Sequence, residues 1–143
     1  MTTFAHDDGG RAAAGYKGTT GDCAVRAIAI ATGKPYNGVY NLINTLASQE
    51  RRRTKTPSDA RTGIWRQTMD AYMRSIGWRW MPTMAIGSGC TVHLKAEELP
   101  AGRLIASVSK HYVAVIDGVI HDIDPNVARG GTRCVYGYYQ EAA

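Results

Sequence analysis

No stretch of this sequence approaches the roughly 20 consecutive apolar residues that span a bilayer. Its opening, MTTFAHDDGGRAAAG, lacks the basic-then-apolar order of a secretory signal. Together these absences predict a soluble, cytoplasmic protein with no membrane association. There is no C-x-x-C pair, and the three cysteines, Cys23, Cys90 and Cys134, are odd in number and far apart. That pattern speaks against a disulfide framework and predicts reduced thiols. Cys90 and His93 have a ligand-like spacing, but a zinc site would need two further ligands from elsewhere. No metal and no other cofactor is expected. Repeats and long linkers are also missing, so 143 residues predict one domain, 1–143, with residues 1–15 glycine-rich, weakly periodic and flexible.

What is present is an ordinary globular composition, 44% hydrophobic and 20% charged, with a formal net charge of +5. The excess favours anionic partners mildly. Much of it lies in RRRTKTPSDARTGIWR, residues 51–66, with six basic residues against one acid. This run reads as a solvated helix end and loop, or as a patch for an anionic partner through Arg51, Arg52, Arg53 and Lys55. Trp65 aside, it lacks the interleaved aromatics on which bases stack, which ranks nucleic-acid binding third among the functional readings.

The run TTGDCAVRAIAIATGKPY predicts a helix over 22–32, with Thr20 or Asp22 as N-cap and Gly33 as the stop. After Cys23 only Arg26 and Thr32 are clearly polar, so the helix should be buried and central. A second helix is predicted near 36–50 from Val39, Leu42, Ile43 and Leu46, and a third near 63–76 from Ile64, Met69, Met73 and Ile76. Gly77 ends the third, and WRWMP reads as extended.

The C-terminal half changes to short segments rich in β-branched and aromatic residues: TVHL, RLIASVS, HYVAVI, VIHDI and RCVYGYY. Helices first and an antiparallel sheet second predict an α+β domain with the buried helix packed on the sheet. Asp117-Gly118 is a two-residue hairpin signal. Such a turn pairs Ile116 with Val119, sets His111 opposite Asp124, and puts Asp122 on the diagonal. His111, Val113, Val115, Ile120, Asp122 and Asp124 would then share the face that meets the helices. A three-residue turn would send both aspartates to the other face. The aromatic side chains Trp78, Trp80 and Tyr112 are assigned to the core rather than to a cleft.

Cys23 alone would pass as a small core residue; His111 and the aspartates after it make it the candidate nucleophile. A nucleophilic thiol has to be ionised near neutral pH, whereas a free one, with a pKa of about 8.5, is mostly protonated. A helix N-terminus and a nearby imidazolium both stabilise the thiolate, and a carboxylate on the far ring nitrogen orients the imidazole. Cys23, His111 and Asp122, with Asp124 as the alternative, supply these parts. Asp22 opposes the thiolate unless it caps the helix or pairs with Arg26.

GDCAVRA ahead of a buried helix, followed by KHYVAVIDGVIHDIDPN in a sheet, resembles the papain-like cysteine peptidase superfamily. The first block is similar to the signature of ovarian-tumour-type deubiquitinases, and the second to bacteriocin-processing peptidases and to papain. The resemblance covers about a quarter of the chain. It implies a papain-like fold with Cys23 as nucleophile, His111 as general base and acid, and Asp122 as the orienting group. Asp124, followed by Pro125, matches the Asp-Pro of the bacteriocin-processing enzymes. It further implies cleavage of a peptide, isopeptide or related amide bond in a peptide or protein substrate. Where these families carry a Gln six residues before the Cys, this chain has Lys17. Lys17, Thr19 or Thr20 would then join the Cys23 N–H in stabilising an oxyanion. That departure motivates a second reading, an inactive papain-like binding module of phage or mobile-element type that engages a host protein.

Overall fold

A computed structural model describes residues 3–16, 21–49, 59–61, 63–85 and 87–142. Lys17, Thr19 and Thr20, and the basic residues Arg51, Arg52, Arg53 and Lys55, lie outside the described residues. Helix α1 spans Cys23–Thr32, α2 spans Tyr36–Gln49 and α3 spans Arg66–Ser75. Seven residues of α1 are buried, including Val25, Ile28 and Ala31, which is why its sequence has almost no polar face. Gly33 ends it in the left-handed conformation, φ 75°, with its N–H on Ala29 O at 2.9 Å. The third helix begins later than residue 63 because Asp59 and Gly63 exchange both backbone hydrogen bonds, at 2.8 and 2.9 Å, and close a tight loop first.

Among the described residues six strands form one sheet: β1 Thr3–His6, β2 Trp78–Pro82, β3 Arg103–Val108, β4 His111–Ile116, β5 Val119–Asp122 and β6 Gly137–Glu141. Their order is β1-β5-β4-β3-β6-β2. With three helices this is the α+β class, but the sheet is mixed rather than antiparallel. The N-terminal residues, to which the sequence assigns no element, supply the difference, since Thr3–His6 pair in parallel with Val119–Asp122. Four residues are too few for a visible period-2 pattern.

The β4–β5 turn has the two-residue form. Ile116 pairs with Val119 and Val115 with Ile120, and both Asp117 (φ 49°) and Gly118 (φ 80°) have positive φ, as a type I′ turn requires. A Cβ on Gly118 would also sit 2.9 Å from Ala96 Cβ, so glycine is needed there for space as well.

The sheet is buried on both faces. Ile105, Ala114 and Tyr139 pack with the helices, in one cluster with Val25, Ile28, Ile43, Met69 and Met73. Val113, Val115 and Ile120 face the other way, against Leu94, Leu99, Val127 and Val135. This corrects the expectation that these three residues meet the helices. HYVAVI is apolar on both of its faces, as in a strand covered on two sides, and alternation cannot say which face a helix takes.

Two further expectations are corrected. Cys90 and Cys134 form a disulfide, leaving Cys23 as the free cysteine. The backbone brings them together: Cys134 pairs with His93 in an isolated bridge, and Leu94 N–H and Arg133 O are 2.8 Å apart. Their Cα atoms are 5.8 Å apart, within the range of an unstrained bridge. Beyond Cys134 the chain becomes a strand only at Gly137, not throughout RCVYGYY. Among the described residues no helix is long and apolar enough to cross a membrane.

Candidate active site

Cys23 is the first residue of α1, His111 the first of β4 and Asp122 the last of β5. The latter two stand at the ends of neighbouring strands, against which α1 packs. There His111 and Cys23 line one cleft, and the imidazole acts directly on the thiol's ionisation. Its Nε2 lies 2.6 Å from Asp122 Oδ2. Because Nε2 is taken by the carboxylate, Nδ1 is the nitrogen left to face the sulfur. The second Asp122 oxygen accepts the Ile123 N–H at 2.6 Å.

Burial alone would push the Cys23 thiol up, but the bond to His111, its charge, the Tyr112 N–H and the nearby Arg26 overcome it, and the thiol is held below its ordinary 9.0. The same opposition acts on His111. Burial pulls it down, Asp122 and Cys23 pull it up, and it is raised from 6.5 to about 9. Burial likewise works against the Asp122 carboxylate, while His111 and the Ile123 N–H hold it below its ordinary 3.8. Both shifts act in the direction of the thiolate–imidazolium pair.

Asp22 does not cap α1 with its side chain. Its carboxylate is fully buried and takes Arg26 Nη1 at 2.7 Å, Arg11 Nη1 at 3.3 Å and the Tyr36 hydroxyl at 2.5 Å. Two guanidinium groups and a phenol neutralise the charge that, from sequence, opposes the thiolate. Arg26 also extends Nη2 to within 3.9 Å of Asp122 Oδ1, joining this buried network to the site.

Asp124 is not brought to His111. The β5 ladder ends at Asp122, and Asp124 is exposed in the following turn, its Oδ1 accepting the Asn126 N–H at 2.9 Å. His121 lies beside Asp7, with Nδ1 3.6 Å from Oδ2, and His93 lies 3.2 Å from Glu98; neither joins the site.

A cleft of about 400 Å³ opens over Cys23 and His111, walled by Gly63, Ile64, Ser107, Lys110 and Tyr112 among others. Tyr112 thus belongs to both the cleft wall and the edge of the core, whereas Trp78 is buried and Trp80 is partly buried under the Arg66 guanidinium, 3.8 Å from its ring centroid. Sequence reasoning missed three contributors. The Tyr112 N–H helps hold the Cys23 thiol down, a role its place directly after His111 could have suggested. Arg11 is a lone charge in a Gly/Ala segment and is buried. Arg26 was legible as a partner of Asp22, but its reach to Asp122 has no sequence signal. No family model, curated protein or solved structure matches the chain.

Proposed function

We propose that this chain is a papain-like thiol hydrolase that opens a peptide, isopeptide or related amide bond through a thioester on Cys23. The observation that carries this reading is that Cys23 and His111 line one cleft with His111 Nε2 2.6 Å from Asp122 Oδ2, the thiol being lowered and the imidazole raised to about 9. The Cys23 thiolate attacks the carbonyl carbon of the scissile bond. His111 gives its proton to the amide nitrogen as the C–N bond breaks, and the amine leaves. Water then attacks the thioester and His111 takes its proton. The C–S bond breaks, the carboxylic acid departs, and thiolate and imidazolium are restored. Asp122 holds the ring in position and compensates its positive charge throughout. The Cys23 N–H, at the start of α1, is a main-chain donor available to the oxyanion.

The test is alkylation with iodoacetamide at neutral pH. Cys23 should react at least tenfold faster than a free cysteine of ordinary pKa, and His111→Ala should abolish the excess. A Cys23 that reacts no faster than free cysteine would remove the reading.

A further inference from the structure

His111 stands between two clefts. Opposite the Cys23 cleft is another of about 470 Å³, whose wall includes Lys110, Arg129 and Arg133. The two are neighbours, sharing Arg26, Lys110 and His111 in their walls. Four cations face the second cleft, Arg26, Lys110, Arg129 and Arg133, against two carboxylates, Asp122 and Asp124. Arg26 and Asp122 are 3.9 Å apart, and Asp122 is also bound to His111. Asp124 is engaged by the Asn126 N–H. Lys110, Arg129 and Arg133 have no ion-pair partner among the described residues.

Arg133 is held as part of the wall rather than as a free surface side chain. Its Nη2 donates to Ser109 O at 2.6 Å and its Nη1 to Val127 O at 3.2 Å. These carbonyls satisfy hydrogen bonds but leave the charge uncompensated, and the buried Nε has no partner. Burial and the nearby Arg129 both disfavour the charged form of Arg133. Lys110 (φ 58°) and Arg129 (φ 51°) each occupy left-handed backbone conformations in tight turns, which sets the direction of their side chains.

We propose that this cleft is a subsite for a carboxylate of the substrate, carried on an acidic side chain or at a chain terminus, and seated by Lys110, Arg129 and Arg133 next to the bond that Cys23 attacks. The adjacency to a scissile bond rests on the thiol-hydrolase reading; the carboxylate site itself does not.

Two measurements separate them. The first follows the Arg133 Nε–H resonance by NMR during titration with N-acetylglutamate amide, N-acetylglycine, and the uncharged N-acetylglutamine amide. A saturable shift with either acid and none with the neutral compound is expected, and the acid that acts identifies the source of the carboxylate. No shift with either acid, or equal shifts with all three, overturns the subsite. The second measures capture of Cys23 by peptidyl vinyl sulfones that carry Glu or Gln beside the reactive group. Glu probes should react about tenfold faster. The double variant Lys110→Asn/Arg129→Asn should bring the ratio close to one, asparagine being tolerant of positive φ. Equal rates for Glu and Gln in the wild type overturn the subsite as well. Absence of any capture, with the acid-specific NMR shift intact, would sink the thiol reading and leave the carboxylate site standing.

Discussion

Arg26 Nη2 lies 3.9 Å from Asp122 Oδ1 while the same guanidinium holds Asp22 through Nη1. The carboxylate that orients His111 is therefore one end of a buried chain of charges that begins at Arg11. The chain alternates in sign through Arg11, Asp22, Arg26 and Asp122 before it reaches the imidazolium and thiolate. Disturbing it in the core should be felt at the site.

Arg26→Met leaves Asp22 with only one guanidinium and Asp122 with none. Breaking a buried ion pair from one side costs about 3–5 kcal/mol. Urea denaturation should show a loss of that order, and the double variant Arg26→Met/Asp22→Asn should recover part of it. If the single variant is as stable as wild type, the network carries no net interaction.

Asp122→Asn keeps a hydrogen-bonding group beside His111 but removes the negative charge. The His111 pKa should fall from about 9 toward 6.5, measured by NMR titration of the ring. With the imidazolium weakened, turnover should fall about 10²- to 10⁴-fold, the range for a positioned proton-transfer group. Asp124→Asn should leave the His111 pKa within a few tenths, because Asp124 does not touch the ring.

The pH profile of hydrolysis should be bell-shaped. Its acid limb follows ionisation of Cys23, at a value below 9.0, and its alkaline limb follows loss of the His111 proton near 9. The sign for stability follows from the same shift. The folded His111 value lies above the unfolded 6.5, so its contribution is complete below 6.5 and is lost as pH rises through about 9. The stability gap between wild type and His111→Gln should narrow over that window in urea melts. A gap that widens would contradict the assigned direction.

The Cys90–Cys134 bridge closes a loop with a sequence separation of 44. Loop-closure entropy assigns such a crosslink about 4 kcal/mol. Cys90→Ser/Cys134→Ser should lower the urea midpoint accordingly and leave Cys23 as the single labelled residue. Mass spectrometry of the alkylated, non-reduced wild type should likewise find label on Cys23 alone.

Gly137→Ala tests the packing of β6. A Cβ at that position runs into the Trp80 ring and crowds Met81 O, 2.9 Å away. Trp80 is flanked by Tyr139 and capped by Arg66, so it has little room to yield. A loss of about 1–3 kcal/mol is expected from overpacking, read by thermal or urea denaturation.

The helices were legible because α1 is apolar all round and because Gly33 and Pro35 punctuate the chain. The β4–β5 hairpin was legible because Asp117-Gly118 admits one tight turn. Register alone set Asp124 opposite His111 and Asp122 on the diagonal; the point at which β5 ends, which excludes Asp124, could not be read. The face of β4 that meets the helices could not be read, since Tyr112 and Ala114 are as compatible with a core as Val113 and Val115. Nor could the disulfide, whose two cysteines meet through pairing of His93 with Cys134 across irregular segments. The parallel partner of β5 lay hidden for a different reason, distance along the chain.

That last pairing has a consequence for the order in which the molecule can be completed. Thr3–His6 wait for Val119–Asp122, and the Asp7 N–H closes on the main-chain oxygen of Asp122 itself, at 3.0 Å. During synthesis Cys23 emerges well before His111 and Asp122. Its imidazole and carboxylate come from the last third of the chain, and the strand that braces the carboxylate comes from the very beginning. The surroundings that lower the thiol are thus complete only once Thr3–His6 have paired with Val119–Asp122.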